Sequence, residues 1–250
     1  MKKTPVTAML CLALMGASME KLAAAELKVL AGGALTGVLG ELGPAFEKAS
    51  GHKLSIKFAA TPDLIKAATS GEPFDVGVTP VDVFKNAEAK AKFAPATVDI
   101  ARVGFGVAVK AGAPKPDVST PEALKQTLLK AKSIALLPES AAGAYVSKVI
   151  ERLGVTNEVN AKAVKQTSPA GVPGAVAKGD AEIGVFLTNV LTAPGVELAG
   201  NFPGDLQQDL VFAAAVSADT KDAAAAKAFI DFLQTPAAKA TIEAKGMKAG

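Results

Sequence analysis

Two short apolar segments that each end in Thr-Pro constrain the fold of this chain most. They are residues 58–63 (Phe-Ala-Ala-Thr-Pro-Asp) and residues 75–82 (Asp-Val-Gly-Val-Thr-Pro-Val-Asp). Each apolar run predicts a β-strand, and Thr followed by Pro and an acidic residue predicts a helix start with Thr61 or Thr79 as the N-cap. Each of the two strands would then be followed directly by a helix, and both helix N-termini would lie at one edge of a sheet, where open α/β sheets bind ligands. Free N–H groups and the positive end of the helix dipole favour an anion there.

Plain helix capping is the alternative interpretation of each Thr-Pro pair. The same pair recurs at Thr120 and at Thr235, away from the predicted sheet edge. The occurrence of two copies one strand-helix unit apart favours a ligand site over capping alone.

The first 25 residues have the pattern of a secretory signal peptide. Lys2 and Lys3 form a positive start, a short apolar segment follows, and alanines at 23–25 precede the expected cleavage site after residue 25. The one cysteine of the chain, Cys11, lies in this segment, so the mature protein has no disulfide bond. The sequence therefore predicts an exported protein that resides in the periplasm.

The mature chain carries little net charge. The whole sequence has 27 Lys and Arg against 24 Asp and Glu, and the signal segment removes three lysines and one glutamate. A nearly neutral chain has no basic surface for nucleic acid, so we expect no nucleic-acid partner. The sequence also contains no metal-binding cluster, catalytic triad or phosphate-loop motif, so we assign no metal ion, no cofactor and no catalytic residue. His52 follows a helix-to-strand turn away from the predicted ligand edge, which predicts a surface position.

Beyond the signal peptide, predicted strands and helices alternate, which is typical of α/β proteins with mostly parallel sheets. The alternation is interrupted at residues 100–110, where a strand containing Gly104 and Gly106 is long enough to cross from one lobe to another. We therefore expect two lobes joined by a two-strand hinge, and the protein is expected to be a monomer. The predicted parts are a signal peptide (1–25), lobe 1 (26–104 and 205–250) and lobe 2 (105–204).

Several segments resemble the molybdate-binding family of type 2 periplasmic solute-binding proteins. They are residues 29–36, 74–78, 179–185 and 228–233, and the resemblance covers the whole mature chain. It implies two α/β lobes that close on a small anion, held mainly by hydroxyls and backbone N–H groups at helix starts. It also implies an ABC-type membrane permease as the partner that receives the ligand.

The candidate ligand-binding residues combine the helix-start argument with this resemblance. They are Gly33, Ala34, Thr61, Thr79, Ser140, Gly143, Ala144, Tyr145 and Val172. Positions at which the family has hydroxyl groups correspond here to Ala34 and Leu187, which have none. Because unpaired ligand oxygens in a closed site are costly, these missing donors argue against a molybdate-type oxyanion.

A branch of the family is more similar to this chain. Residues 111–118, 131–135 and 143–145 resemble molybdate-protein-like chains that include aconitate isomerase, which implies an organic polycarboxylate ligand. The preferred hypothesis is a solute-binding protein of an ABC-type transporter that captures such an anion by lobe closure. The alternative is an aconitate-isomerase-like enzyme that interconverts cis- and trans-aconitate. It would need a base near the methylene carbon, for which Glu139, Asp63 and Tyr145 are the choices.

Overall fold

Two β-sheets with helices packed against them make up the computed structural model, which describes residues 24–250. The predicted signal peptide lies almost entirely outside these residues. The strands are β1 (Glu26–Gly32), β2 (Lys53–Ala59), β3 (Val76–Pro80), β4 (Val98–Val103), β5 (Phe105–Lys110), β6 (Ile134–Leu136), β7 (Ala163–Lys165), β8 (Ile183–Leu187), β9 (Val196–Asn201), β10 (Leu210–Val216) and β11 (Lys248–Ala249).

Helices connect most of these strands. They are α1 (Thr36–Ser50), α2 (Thr61–Thr69), α3 (Val81–Lys85), α4 (Ala87–Lys90), α5 (Pro121–Lys130), α6 (Ala141–Arg152), α7 (Thr156–Asn160), α8 (Gly171–Lys178), α9 (Ala223–Leu233) and α10 (Pro236–Ala244), with 3-10 turns at Gly33–Leu35 and Gly204–Leu206. Within residues 24–250, none of the helices has the length and apolar character that crossing a bilayer requires.

The strands form one sheet of six and one of five. The first has the order β11-β4-β10-β3-β1-β2 and the second the order β7-β6-β8-β5-β9. We call the first sheet and its helices lobe one, and the second sheet and its helices lobe two. The expected parallel pairing holds for β2-β1-β3 and for β7-β6-β8. Because β10 and β5 pair antiparallel with both of their neighbours, each sheet is mixed rather than mostly parallel.

The chain crosses between the lobes twice. The first crossing is Gly104, which alone separates β4 from β5. The second crossing is the segment 202–209, which joins β9 to β10 and contains the 3-10 turn Gly204–Leu206. Both crossings lie side by side, since Val103 pairs with Leu210 and Phe202 donates its N–H to the carbonyl of Phe105 at 2.9 Å.

Apolar residues at helical spacing from Leu35 to Phe46 predict an amphipathic helix, and this stripe on α1 and the turn before it forms part of the lobe-one core. Its members Leu35, Val38, Leu39, Leu42 and Phe46 are all buried. The Phe46 ring packs 4.9 Å from that of Phe229 on α9, which ties the N-terminal and C-terminal helices together. Burying a side chain of this size contributes about 1.5–3 kcal/mol, so this packing fixes α1 against the sheet.

Of the Thr-Pro pairs within residues 24–250, those at Thr120 and Thr235 cap helices as expected. The Thr120 hydroxyl accepts a hydrogen bond from the N–H of Ala123 at 3.0 Å, and that of Thr235 accepts one from Ala238 at 3.3 Å. These two helix starts follow the local rule that a side-chain oxygen satisfies an otherwise free N–H group.

The N-cap predictions for Thr61 and Thr79 are wrong. The N-cap of α2 is Ala60, and that of α3 is Pro80. Thr79 and Pro80 continue β3 because they pair with β10, in the register Thr79 to Ala213. This pairing joins residues far apart in the chain, and no local sequence signal encodes it.

The predicted surface position of His52 is also wrong. The residue is only 5% exposed, and its ring stacks on Phe46 with the centroids 6.1 Å apart. Its Nδ1 atom accepts a hydrogen bond from the N–H of Ala25 at 3.0 Å, and the Ala25 carbonyl accepts one from Lys53 at 2.8 Å. The turn at the end of α1 folds the imidazole back over the helix and thereby anchors the start of β1.

Candidate functional site

Helix starts from both lobes meet at the interface between the lobes. In lobe one, the turn after β1 and the start of α2 face the start of α6 and the loop before α8 in lobe two. The Thr61 hydroxyl accepts a hydrogen bond from the backbone N–H of Ala141 at 3.1 Å, and Thr61 is only 8% exposed. This bond joins the N-terminus of α2 directly to the N-terminus of α6, across the lobe boundary.

A second contact across the lobes involves Asn189, which the sequence reasoning missed. Its Nδ2 group donates to the carbonyl of Ala34 at 2.9 Å. Its Oδ1 atom is buried and has no hydrogen-bond partner among residues 24–250. Asn189 is the second residue after the buried strand β8, and a polar side chain so close to the strand end could have identified it as a contact of the interlobe edge.

Gly33 lies at a close contact between the two lobes. A Cβ atom at this position would stand 2.9 Å from the Pro169 ring of lobe two. Glycine is therefore needed for close approach of the lobes. The sequence had left two roles equally open for Gly33, a backbone approach to a ligand and the turn before a helix.

The cavity enclosed between the helix starts is small and apolar. It measures about 20 Å³, which is room for roughly one water molecule. Among the lining residues within 24–250, Thr61 is the one with a hydroxyl group, and none has a titratable side chain. The lining residues are Gly32, Gly33, Ala34, Ala59, Ala60, Thr61, Pro80, Ala142, Pro169, Phe186, Leu187, Leu210 and Phe212.

A much larger cavity of about 710 Å³ opens beside Thr61. It includes Ser140, Ala144, Tyr145 and the charged residues Asp82, Lys85, Glu139, Lys148 and Asp209. Lys85 pairs with Asp82 at 3.3 Å and Asp209 pairs with Lys248 at 2.9 Å. Glu139 and Lys148 form no ion pair within the described chain, so their charges remain available to a bound molecule.

Ser140 and Gly143 organise the start of α6. As the sequence predicts, Ser140 is the N-cap: its hydroxyl accepts from the N–H of Gly143 at 2.9 Å and donates to the carbonyl of Leu137 at 2.9 Å. Gly143 packs so closely on this turn that a Cβ atom would overlap the Leu137 carbonyl oxygen. Both residues therefore shape the helix start, while the next residue, Ala144, is exposed toward the large cavity.

Thr79 and Val172 contribute no free polar group to either cavity in this conformation. Thr79 is fully buried and its hydroxyl donates to the carbonyl of Pro80 at 3.3 Å. Val172 is fully buried as well, and its N–H donates to the carbonyl of Pro169 at 3.2 Å. Of the nine candidate residues, Thr61 is the one whose polar side chain lies at the lobe contact.

Tyr145 lines the large cavity, but its hydroxyl is bound by the chain itself. The hydroxyl donates to the carbonyl of Leu206 in the second crossing at 2.8 Å, and the ring packs 4.7 Å from that of Phe105. Burial raises the pKa of the Tyr145 hydroxyl; the positive charge of Arg152 lowers it and the negative charge of Asp205 raises it, both by less than burial does. A raised pKa keeps the hydroxyl protonated and able to donate.

We expect Tyr145 to ionise at a higher pH in the folded protein than in the unfolded one, where tyrosine has a pKa of about 10. Because the folded pKa is the higher one, the associated stabilisation is present below pH of about 10 and is lost as the pH rises through the folded value. Tyr145 is the single tyrosine of the chain, so tyrosinate absorbance reports on it alone. A titration of the native protein that matches the urea-unfolded protein would contradict this expectation, and Tyr145→Phe removes the signal as a control.

Comparison with known proteins agrees with this architecture. The family model described as bacterial extracellular solute-binding protein matches residues 27–248. A protein named aconitate isomerase from a Pseudomonas species is 35% identical over 231 residues, covering 89% of this chain and 87% of that protein. The molybdate-binding protein ModA of Azotobacter vinelandii is 29% identical over 229 residues, covering 89% of this chain and 90% of that protein.

A solved structure shows the same fold. The periplasmic molybdate-binding protein of Azotobacter vinelandii superposes with a TM-score of 0.75 at 21% identity, covering 90% of this chain and 99% of that structure. The predicted two-lobed type 2 periplasmic-binding fold is therefore confirmed, with mixed sheets. The family resemblance inferred from the sequence is confirmed as well: the chain belongs to the bacterial extracellular solute-binding protein family.

Proposed function

We propose that the protein captures a small organic polycarboxylate between its lobes in the periplasm and delivers it to an ABC-type membrane permease. The observation that carries this proposal is the Thr61 to Ala141 hydrogen bond, which places two helix N-termini together beside a cavity of about 710 Å³. Pockets that bind small molecules typically measure about 300–1,000 Å³. The positive dipole ends of α2 and α6, whose N-termini meet here, favour an anion at this point.

The lining of the interface favours a carboxylate over a tetrahedral oxyanion. An oxyanion enclosed in the central cavity would face Ala34, Ala142 and Leu187, which have no side-chain donors, and Thr61 as the single hydroxyl. Several of its oxygens would lose their hydration without a replacement, at a cost of about 1–3 kcal/mol for each unsatisfied group. A polycarboxylate can instead place one carboxylate at the helix starts and extend the rest of the molecule into the larger cavity.

The charges of the large cavity suit such an extended anion. The ammonium group of Lys148 lies on α6 and has no ion-pair partner in the described chain. It can approach a second carboxylate that extends from the helix starts. Asp82 and Asp209 are neutralised by their lysine partners, so Glu139 is the one unpaired carboxylate among the described lining residues that would repel the ligand.

A second candidate function is isomerisation of aconitate, favoured by the 35% identity to the Pseudomonas protein of that name. The reaction would remove a proton from the methylene carbon and return it to the other end of the allylic system. Of the three bases that the sequence left open, Glu139 lines the large cavity with a free carboxylate. Asp63 is exposed and does not line this cavity, and the hydroxyl of Tyr145 is held by Leu206.

Proton NMR of trans-aconitate mixed with the purified protein tests both functions. Binding without turnover is expected to broaden or shift the trans-aconitate signals, and no cis-aconitate should appear. Appearance of cis-aconitate would make the second function correct, and Glu139→Gln should then abolish it. A parallel sample with molybdate completes the test: if molybdate perturbs the protein and aconitate does not, the argument from missing donors fails.

A further inference from the structure

We infer that the Gln207 side chain clamps the second crossing to lobe two, so that lobe opening bends the chain only at Gly104 and Gln208. The Oε1 atom of Gln207 accepts from the N–H of Phe105 at 2.9 Å, and its Nε2 group donates to the carbonyl of Phe105 at 3.0 Å. The side-chain amide thus pairs with one residue of β5 in both directions, much as a neighbouring strand would.

Two further contacts hold the same segment to lobe two. The Tyr145 hydroxyl on α6 donates to the carbonyl of Leu206 at 2.8 Å. The Arg152 guanidinium at the end of α6 pairs with the carboxylate of Asp205 at 2.6 Å. This ion pair is largely exposed and adds little free energy, whereas the Gln207 and Tyr145 hydrogen bonds are partly buried. The segment up to Gln207 should therefore move with lobe two.

The chain becomes part of lobe one only two residues later. The Asp209 carboxylate pairs with Lys248 of β11 at 2.9 Å, and Leu210 pairs with Val103 of β4. Gln208 lies between the two attached segments, and its side chain is exposed. It forms no side-chain hydrogen bond within the described chain. The backbone dihedrals at Gln208 are consequently the free joint of the second crossing.

The first crossing has a single joint as well. The carbonyl of Gly104 accepts from the N–H of Thr188 in lobe two at 3.0 Å, while the preceding Val103 is paired within lobe one. A Cβ atom at position 104 would stand 2.8 Å from the Nε2 atom of Gln207. Glycine at this position gives the joint its conformational freedom and also leaves room for the clamp.

Hydrogen exchange of the ligand-free protein tests the clamp. In Gln207→Leu, the Phe105 amide loses its acceptor and should exchange at least about tenfold faster, while amides inside β3 and β8 keep their rates. Gln208→Leu makes the same change at the neighbouring exposed residue and should leave the Phe105 amide at the wild-type rate. Equal Phe105 exchange in Gln207→Leu and Gln208→Leu would overturn the inference.

Distances between the lobes test whether the clamp restricts lobe opening to bending at Gly104 and Gln208. Spin labels at Lys66→Cys on α2 and Glu151→Cys on α6, two exposed positions, report lobe separation when Cys11 is replaced by serine. Gln207→Leu is expected to broaden the distance distribution. Without the clamp, several residues of the second crossing can change their backbone dihedrals, instead of Gln208 alone. If that variant fails to fold, Gln207→Glu retains the acceptor for Phe105 and loses only the donor, and it should broaden the distribution less. If the folded variants have the same width of the distance distribution as the wild-type protein, the inference is overturned, whatever ligand the protein binds.

Discussion

Replacing Thr61 with valine is expected to weaken binding of trans-aconitate at least tenfold, as measured by isothermal titration calorimetry. The Thr61 hydroxyl accepts from Ala141 and keeps its own proton free to donate to a carboxylate between α2 and α6. Valine has the same shape but can do neither. Loss of a hydrogen bond to a charged group costs about 1.5–3 kcal/mol, and 1.4 kcal/mol corresponds to roughly a tenfold change in Kd.

Two variants serve as controls for this experiment. Thr61→Ser retains the hydroxyl and should bind within about threefold of wild type, since only a methyl group is lost. Thr79→Val makes the same exchange in a side chain that is fully buried and bonded to Pro80, so it should leave the affinity nearly unchanged. If Thr61→Val and Thr79→Val bind equally well, the site does not lie at the contact of α2 and α6.

Gly143→Ala is expected to destabilise the protein by at least about 3 kcal/mol in chemical denaturation. The added methyl group would overlap the carbonyl oxygen of Leu137, and both groups belong to the backbone, so no side-chain rotation relieves the clash. The Leu137 carbonyl also accepts a hydrogen bond from the Ser140 hydroxyl. Displacing this carbonyl therefore also disturbs Ser140, the N-cap of α6. The helix start that faces the proposed ligand would then be lost together with the packing.

The matched control is Gly40→Ala on the exposed side of α1. No atom of residues 24–250 lies within 4 Å of a Cβ atom at that position, so alanine should stabilise the protein by about 0.5–1 kcal/mol through its better helix propensity. A Gly143→Ala protein with wild-type stability would show that the start of α6 can shift. The role of Gly143 would then have to be sought in ligand contact, as the sequence first indicated.

The sequence predicted the parts of the fold that local patterns control. Apolar periodicity predicted α1 and its buried stripe, and the strand-helix alternation predicted two α/β lobes with a crossing near Gly104. Side-chain capping predicted the helix starts at Thr120, Ser140 and Thr235. Each of these features depends on residues within about one turn of helix or one strand, so neighbouring residues suffice to specify it.

The features that the sequence did not predict depend on residues far apart in the chain. Thr79 belongs to a strand because of its pairing with β10, and His52 is buried because the end of α1 folds back over Phe46.

At the site, the sequence placed Thr61 and Tyr145 together as candidate ligand contacts. The tertiary structure directs the Thr61 hydroxyl across the lobe boundary to Ala141, beside the proposed ligand, and the Tyr145 hydroxyl to Leu206 in the hinge. Local sequence determined which elements form and where they begin. Only the packing of two lobes from three chain segments decided which polar groups remain free, because hydrogen-bond partners are set by distance in space rather than in sequence.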